Sequence, residues 1–315
     1  MGIGLLVDEA ELRKFIEWLP DIEWNEAYVV MILIRSKLLK KEFGFKGTDH
    51  TLKLEIVPGY LVRWRERLLR KIKQFAVLGY YSEELYEYIR YKPGTREPEE
   101  ILNIPNKLIG IMVSVNSADW VKASVKAVEE FNMSLWEAMR NPEKADRLVR
   151  RIDLRIPALC MKYAKHRFWQ IDVDTKNTEA IWELEILLRK TIGYVPARIE
   201  TPHGYHYLVP IYRLEEARAG AFAMIFKNEV YGVKAVRSLE KLINKTEDEE
   251  LRSILRKAVE TRYSPFYVWK CEWANKLAMD IDKIAETKND FQEPAPGTIY
   301  QGKYIVRFRK EVYRE

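Results

Sequence analysis

The chain has 315 residues and a mass of 37.4 kDa, with 53 Lys and Arg against 47 Asp and Glu, a formal net charge of +6 and a pI near 9.0. Apolar residues make up 47% of it, too many for a disordered chain, and no apolar run approaches the roughly 18 residues of a membrane span. Two cysteines, Cys160 and Cys271, exclude a disulfide framework and a cysteine-built zinc site, so no structural zinc is expected. Asp8 and Glu9 stand where a signal peptide needs apolar residues, so an intracellular, cytoplasmic location is expected. In chain order, the first 25 residues have helical spacing, with Asp8 as N-cap and Leu12, Phe15, Ile16 and Leu19 on one face. Residues 27–34 (AYVVMILI) form a β-branched run of strand length, followed by Arg35-Ser36-Lys37. Residues 60–78 predict a helix whose basic face carries Arg63, Arg65, Arg67, Arg70, Lys71 and Lys73.

A loop is expected at 93–105, a strand at 108–116 and a helix at 118–131. Residues 155–164 suit either a helix or a strand. Further strands are expected at 168–175, 197–201 and 205–209, a helix at 178–191, and a long helical stretch at 213–263, broken near 244–249. A final hairpin surrounds Pro296-Gly297 and Gly302. Strands and helices alternate in both halves, which predicts an α/β or α+β fold. The expected division is 1–154, an N-terminal αβ unit, and 155–315, a second αβ unit with the helical segment inserted.

Three constellations carry chemistry. In Gln170-Ile171-Asp172-Val173-Asp174, residues two apart on a strand share a face, so Asp172 and Asp174 stand together while Ile171 and Val173 pack inward. Adjacent carboxylates repel unless a cation lies between them, and oxygen ligands suit Mg²⁺ or Mn²⁺. The plainer reading is a surface strand with two solvated acids. Next, Thr201-Pro202-His203-Gly204-Tyr205-His206 makes a tight turn between two strands, with imidazoles able to bond a phosphate or simply face solvent. Last, Met279-Asp280-Ile281-Asp282 precedes Pro294-Ala-Pro296-Gly297-Thr298 and a strand on which Arg307 and Arg309 share a face suited to a triphosphate or nucleic-acid backbone. A helix end with solvated acids is the alternative for 280–282.

In this order the three elements resemble the archaeo-eukaryotic primase superfamily, which includes replicative primase small subunits and the primase-polymerases of archaeal and bacterial plasmids. The family's h-D-h-D motif matches Ile171-Asp172-Val173-Asp174, and its T/S-P-x-G-x-H context matches Thr201 to His206. Its third motif, h-D, falls at Asp282 when the family's Pro-Gly-Ser turn is aligned on Pro296-Gly297-Thr298, and at Asp280 when Pro294 is the anchor. Residues 108–123 look like the family's strand-Asn-Pro-x-Asp-helix segment, with Ser117 in place of the proline. Tyr300 stands where replicative primases end the turn in His, and the zinc-bearing knob cannot be built, which favours a plasmid- or virus-type enzyme.

The resemblance implies an RRM-like catalytic unit and templated nucleotidyl transfer from NTP or dNTP, by a primase, a DNA polymerase or both. It implies that Asp172, Asp174 and Asp282 (or Asp280) hold two Mg²⁺ or Mn²⁺ ions around an in-line displacement. His206 would then contact nucleotide phosphates, with Thr201, His203, Arg307, Arg309, Arg35 and Lys37 as further candidates. Arg63, Arg67, Arg70 and Lys71 would follow a single-stranded DNA template, and no phosphate-loop motif is present, so a helicase partner would do any unwinding. The rival readings are a catalytically inactive replication-initiation protein on the same fold and a metal-dependent nuclease using the same acids.

Overall fold

The computed structural model describes residues 4–34, 40, 50–80, 109–144, 155–288, 292–301 and 304–313. The fold is α+β, with antiparallel pairing throughout the strand pairs given below. The chain divides into two compact units, Met1–His166 with Phe291–Phe308, and Arg167–Asp290 with Arg309–Glu315. The expected 154/155 boundary therefore moves to 166/167, and the first unit regains a C-terminal stretch. Backbone bonds account for both shifts: Lys165 N–H donates to Ser117 O (2.7 Å), and Ala295 N–H donates to Ile111 O (2.9 Å). Among the described residues no helix is long and apolar enough to cross a membrane.

The first unit is built on strand β1 (Glu26–Ile34), which lies between β2 (His50–Pro58) and β3 (Ile109–Ser114), with β10 (Gln292–Pro294) outside β3. The short β4 (Ala118–Asp119) pairs with the start of β1. Every β1 residue is buried, as its unbroken apolar run predicts for a strand covered on both faces. Helix α1 (Glu9–Trp18) opens on Asp8, whose carboxylate accepts the Glu11 N–H at 3.0 Å. It is shorter than its periodicity suggests, because Pro20 keeps Leu19 extended (ψ 138°). Helix α2 (Trp64–Tyr80) buries Leu68, Ile72 and Phe75 and packs on β1 and β3. Helix α3 (Trp120–Arg140) runs well past Phe131, and the ambiguous segment is a helix, α4 (Arg155–Lys162), packed on α3 and β1.

The Pro296-Gly297-Thr298 turn belongs to this unit. Gly297 has φ +79°, and a Cβ there would lie 1.9 Å from Asp8 O. The carbonyl of Gly297 accepts the N–H groups of Val7 and Asp8, and Thr298 is fully buried with its hydroxyl on Ala295 O at 2.6 Å. The predicted final hairpin follows as β11 (Ile299–Tyr300) and β12 (Tyr304–Ile305).

The second unit holds the short β6 (Tyr194–Val195) and a sheet in which β7 (Ala197–Glu200), β8 (Tyr205–Pro210), β5 (Phe168–Val173) and β9 (Ala285–Lys288) lie side by side in that order. One face, with Ile171, Val173, Tyr207 and Val209, packs into an apolar core shared with five helices: α5 (Thr178–Ile192), α6 (Glu216–Lys227), α7 (Val233–Lys245), α8 (Glu249–Thr261) and α9 (Pro265–Lys276). The helical stretch expected at 213–263 is thus three helices, with a fourth beyond it, and Phe222, Leu239, Leu255 and Phe266 make it part of the core. Its predicted break falls at Thr246 to Asp248, where Asp248 caps α8 by accepting the Leu251 N–H at 2.9 Å. On the same face Tyr207 donates its hydroxyl proton to Glu185 of α5 at 2.9 Å, and Arg198 of β7 ion-pairs with the same carboxylate. Burial and the Glu185 charge together push the Tyr207 phenol well above its ordinary value.

Candidate active site

The opposite side-chain set of β5 carries the polar residues. Period-two alternation aims Asp172 away from Ile171 and Val173, as the sequence predicts. Antiparallel register then chooses its neighbours: Asp172 stands directly across from His206 on β8 and from Glu286 on β9. Directly opposed residues point to the same side of a sheet. His206, Asp172 and Glu286 therefore make one row across three strands. His206 Nε2 is 3.3 Å from Asp172 Oδ1.

Lys288 lies two residues beyond Glu286 on β9 and aims to the same side. Its ammonium donates to Asp172 Oδ2 at 2.9 Å and lies 3.1 Å from Glu286 Oε2. Burial by itself would lower the lysine pKa, but the bonds and charges of Asp172 and Glu286 outweigh it and hold the ammonium above its ordinary value. The side chains of Asp172 and His206 are 20% and 18% exposed, and that of Glu286 is 61% exposed. The row is thus reachable from solvent at one end and half-buried at the other.

Asp174 lies just past the end of β5 and is exposed. Its backbone N–H donates to Ile284 O at 2.9 Å, which ties the end of the Asp-x-Asp segment to helix α10 (Ile281–Ile284). Asp280 caps that helix, accepting the Asp282 N–H at 3.2 Å and lying 3.5 Å from Lys283 Nζ. Asp282 is exposed on α10, two residues before the carbonyl that bonds Asp174. Among the described residues, no group of three or more His, Cys, Asp or Glu side chains is drawn together tightly enough to hold a metal ion.

The Thr201–His206 turn sits against the end of β5. A Cβ on Gly204 would lie 1.7 Å from Val173 O and 3.0 Å from Thr175 N, so only glycine allows the turn this close to the Asp-x-Asp segment. Thr201 is buried, and its hydroxyl bonds Gly204 within the turn at 3.3 Å. His203 is exposed at the tip of the turn.

The other candidates lie apart from this row in the chain. Arg307 and Arg309 on β13 (Arg307–Arg309) are both exposed and flank buried Phe308, as the alternation predicts. Arg67 and Arg70 are exposed on α2 and Arg63 is exposed beside it, 3.9 Å from Glu66, whereas Lys71 is tied to Glu55, Lys73 to Glu9 and Arg65 to Asp21. The basic face of that helix is thus narrower than its composition suggests. Arg35 and Lys37 lie outside the described residues.

Sequence reasoning missed Glu286 and Lys288. Their strand is the four-residue Ala-Glu-Thr-Lys, too short and too poor in β-branched or aromatic residues to stand out. The usable signal was its alternation, with Ala285 and Thr287 inward and Glu286 and Lys288 outward. Comparison of the chain with protein-family models, curated proteins and solved structures finds no match.

Proposed function

We propose that the chain is a primase-polymerase-type nucleotidyl transferase, using the Asp172 row to bind divalent metal and a nucleoside triphosphate. The single observation that carries this reading is the cross-strand row His206–Asp172–Glu286, with a cation, the Lys288 ammonium, held between its two carboxylates. That row joins the two motifs that most resemble the primase superfamily, Ile171–Asp174 and Thr201–His206, in one register position.

Asp172 and Glu286 share one cation, the Lys288 ammonium, and carboxylate oxygens are the donor type a hard divalent ion takes. Asp172 and Glu286 would hold the ion, with Asp174 beside them at the strand end. In this reading Glu286 takes the place of Asp282 as third carboxylate. The Pro-Gly-Thr turn that favoured Asp282 serves to anchor Val7 and Asp8 in the other unit. Bound metal would supply a clamp on the attacking and leaving oxygens of an in-line displacement. His206, fixed beside Asp172, would donate to a phosphate oxygen, and the turn through Gly204 fixes where that imidazole stands. Arg63, Arg67 and Arg70 supply a sequence-independent contact for a single-stranded template.

The test is primer synthesis and extension on single-stranded DNA with Mg²⁺ or Mn²⁺, comparing the wild type with the double variant Asp172→Ala, Asp174→Ala. Elongation by the wild type and its loss in a double variant that still folds is the expected result. Full activity of the double variant would falsify the assignment, and shortening of a labelled primer would indicate a nuclease instead.

A further inference from the structure

Lys288 belongs to the Asp172 row but to no sequence motif. We infer that Lys288 is a resident counter-ion: its ammonium fills the cation position between Asp172 and Glu286, and divalent metal must displace it to bind. This rests on the metal-binding reading of the Asp172 row.

Formal charges show the effect. Asp172 and Glu286 together carry −2, and Lys288 brings the trio to −1. A divalent ion added with the ammonium still in place leaves +1, at a site where part of the surface is withdrawn from water. Without the lysine charge the same ion leaves the acids neutral. Like charges within about 4 Å are strongly unfavourable where solvent screening is reduced. The lysine therefore lowers affinity for the metal alone. A lysine is suited to such a part, because its four-carbon stem lets the ammonium swing while the backbone of β9 stays paired. The displaced ammonium needs a new acceptor, and the anionic oxygens of a triphosphate provide one. Metal and triphosphate would thus enter as a pair: each removes the obstacle to the other, with Lys288 passing from carboxylate to phosphate.

Mn²⁺ binding to the intact chain, measured by counting free ion with electron paramagnetic resonance, reads this without any catalytic assay. Without nucleotide, Lys288→Met should bind Mn²⁺ about ten-fold or more tightly than the wild type, while Lys288→Arg, which keeps the charge, should stay near wild type. Adding a non-hydrolysable nucleoside triphosphate should tighten Mn²⁺ binding strongly in the wild type and much less in Lys288→Met. Circular dichroism checks that each variant is folded, and Lys288→Gln replaces the Met variant if that one is not. Equal Mn²⁺ affinity of wild type and Lys288→Met, with binding lost in Asp172→Asn, overturns the counter-ion inference and leaves the metal-site reading standing. Mn²⁺ binding in neither protein, or binding indifferent to Asp172→Asn, overturns both.

Discussion

Each unit holds a carboxylate paired with a lysine at a sheet, and the two pairs live under opposite conditions. In the first unit Glu26, at the head of β1, is fully buried; it accepts from Ser117 Oγ at 2.8 Å and pairs with Lys165. In the second, Asp172 and Lys288 remain partly open to solvent, and Glu286 and His206 stand beside them. A buried charge without a partner is expensive, so the Glu26 group is closed and serves the fold. A half-open carboxylate can exchange its partner for a ligand at little expense to stability. The same kind of ion pair is therefore closed off in one unit and open to exchange with solvent in the other, and burial makes the difference.

Acid-to-amide changes test that contrast directly. Under the proposed reading, Asp172→Asn should lower nucleotidyl transfer by about 10²–10³-fold or more while changing unfolding free energy by less than about 1 kcal/mol, read by primer extension and thermal melting. A stability loss as large as the activity loss would make the second cluster structural as well. Gly204→Ala should be more disruptive to the fold than either acid change. Its Cβ would meet the Val173 carbonyl, and the turn must move away from β5, at about 3 kcal/mol by chemical denaturation. Glu26→Gln should cost about 2 kcal/mol, because Lys165 loses its buried counter-charge, with the specific activity of the folded protein unchanged. Changing Arg63, Arg67 and Arg70 together to Gln should weaken single-stranded DNA binding and lower the slope of log affinity against log salt by about 2. An unchanged slope would remove α2 from the proposed DNA contact.

The smallest effect separates the units by their thiols. Cys160 of the first unit is buried, and burial pushes its pKa up to about 12, whereas Cys271 of the second unit is exposed. At pH 8 a thiol reagent should label Cys271 and leave Cys160 untouched until denaturant is added. The raised Cys160 pKa means its neutral form is favoured in the fold. Its contribution to stability is complete below the ordinary thiol value near 9 and is lost as pH climbs toward about 12.

Much of this architecture is legible in local pattern. The apolar run at 27–34 predicts a doubly covered strand because no position in it tolerates water. The Asp8 cap and the break near 244–249 follow from side chains and residues that act on their own stretch of backbone. Asp172, His206 and Gly204 are found from alternation and turn chemistry within a few residues of themselves. The pairing of distant strands is different in kind. Register across β8, β5 and β9 depends on how three separate segments pack, and nothing near residue 286 indicates that it will face residue 172.

By itself, then, the chain's order of residues determined several of its strands and helices, among them β1, β3, β5 and α5, and that Asp172 and His206 point outward from their strands. Those properties arise from interactions over a turn or a pleat. Only the tertiary structure decided that Glu286 and Lys288 complete their row, that the 213–263 helices belong to the core of the second unit, and that Pro296-Gly297-Thr298 anchors the first. Each of these joins residues tens to hundreds of positions apart, through backbone pairing and burial that exist only once the chain has closed on itself.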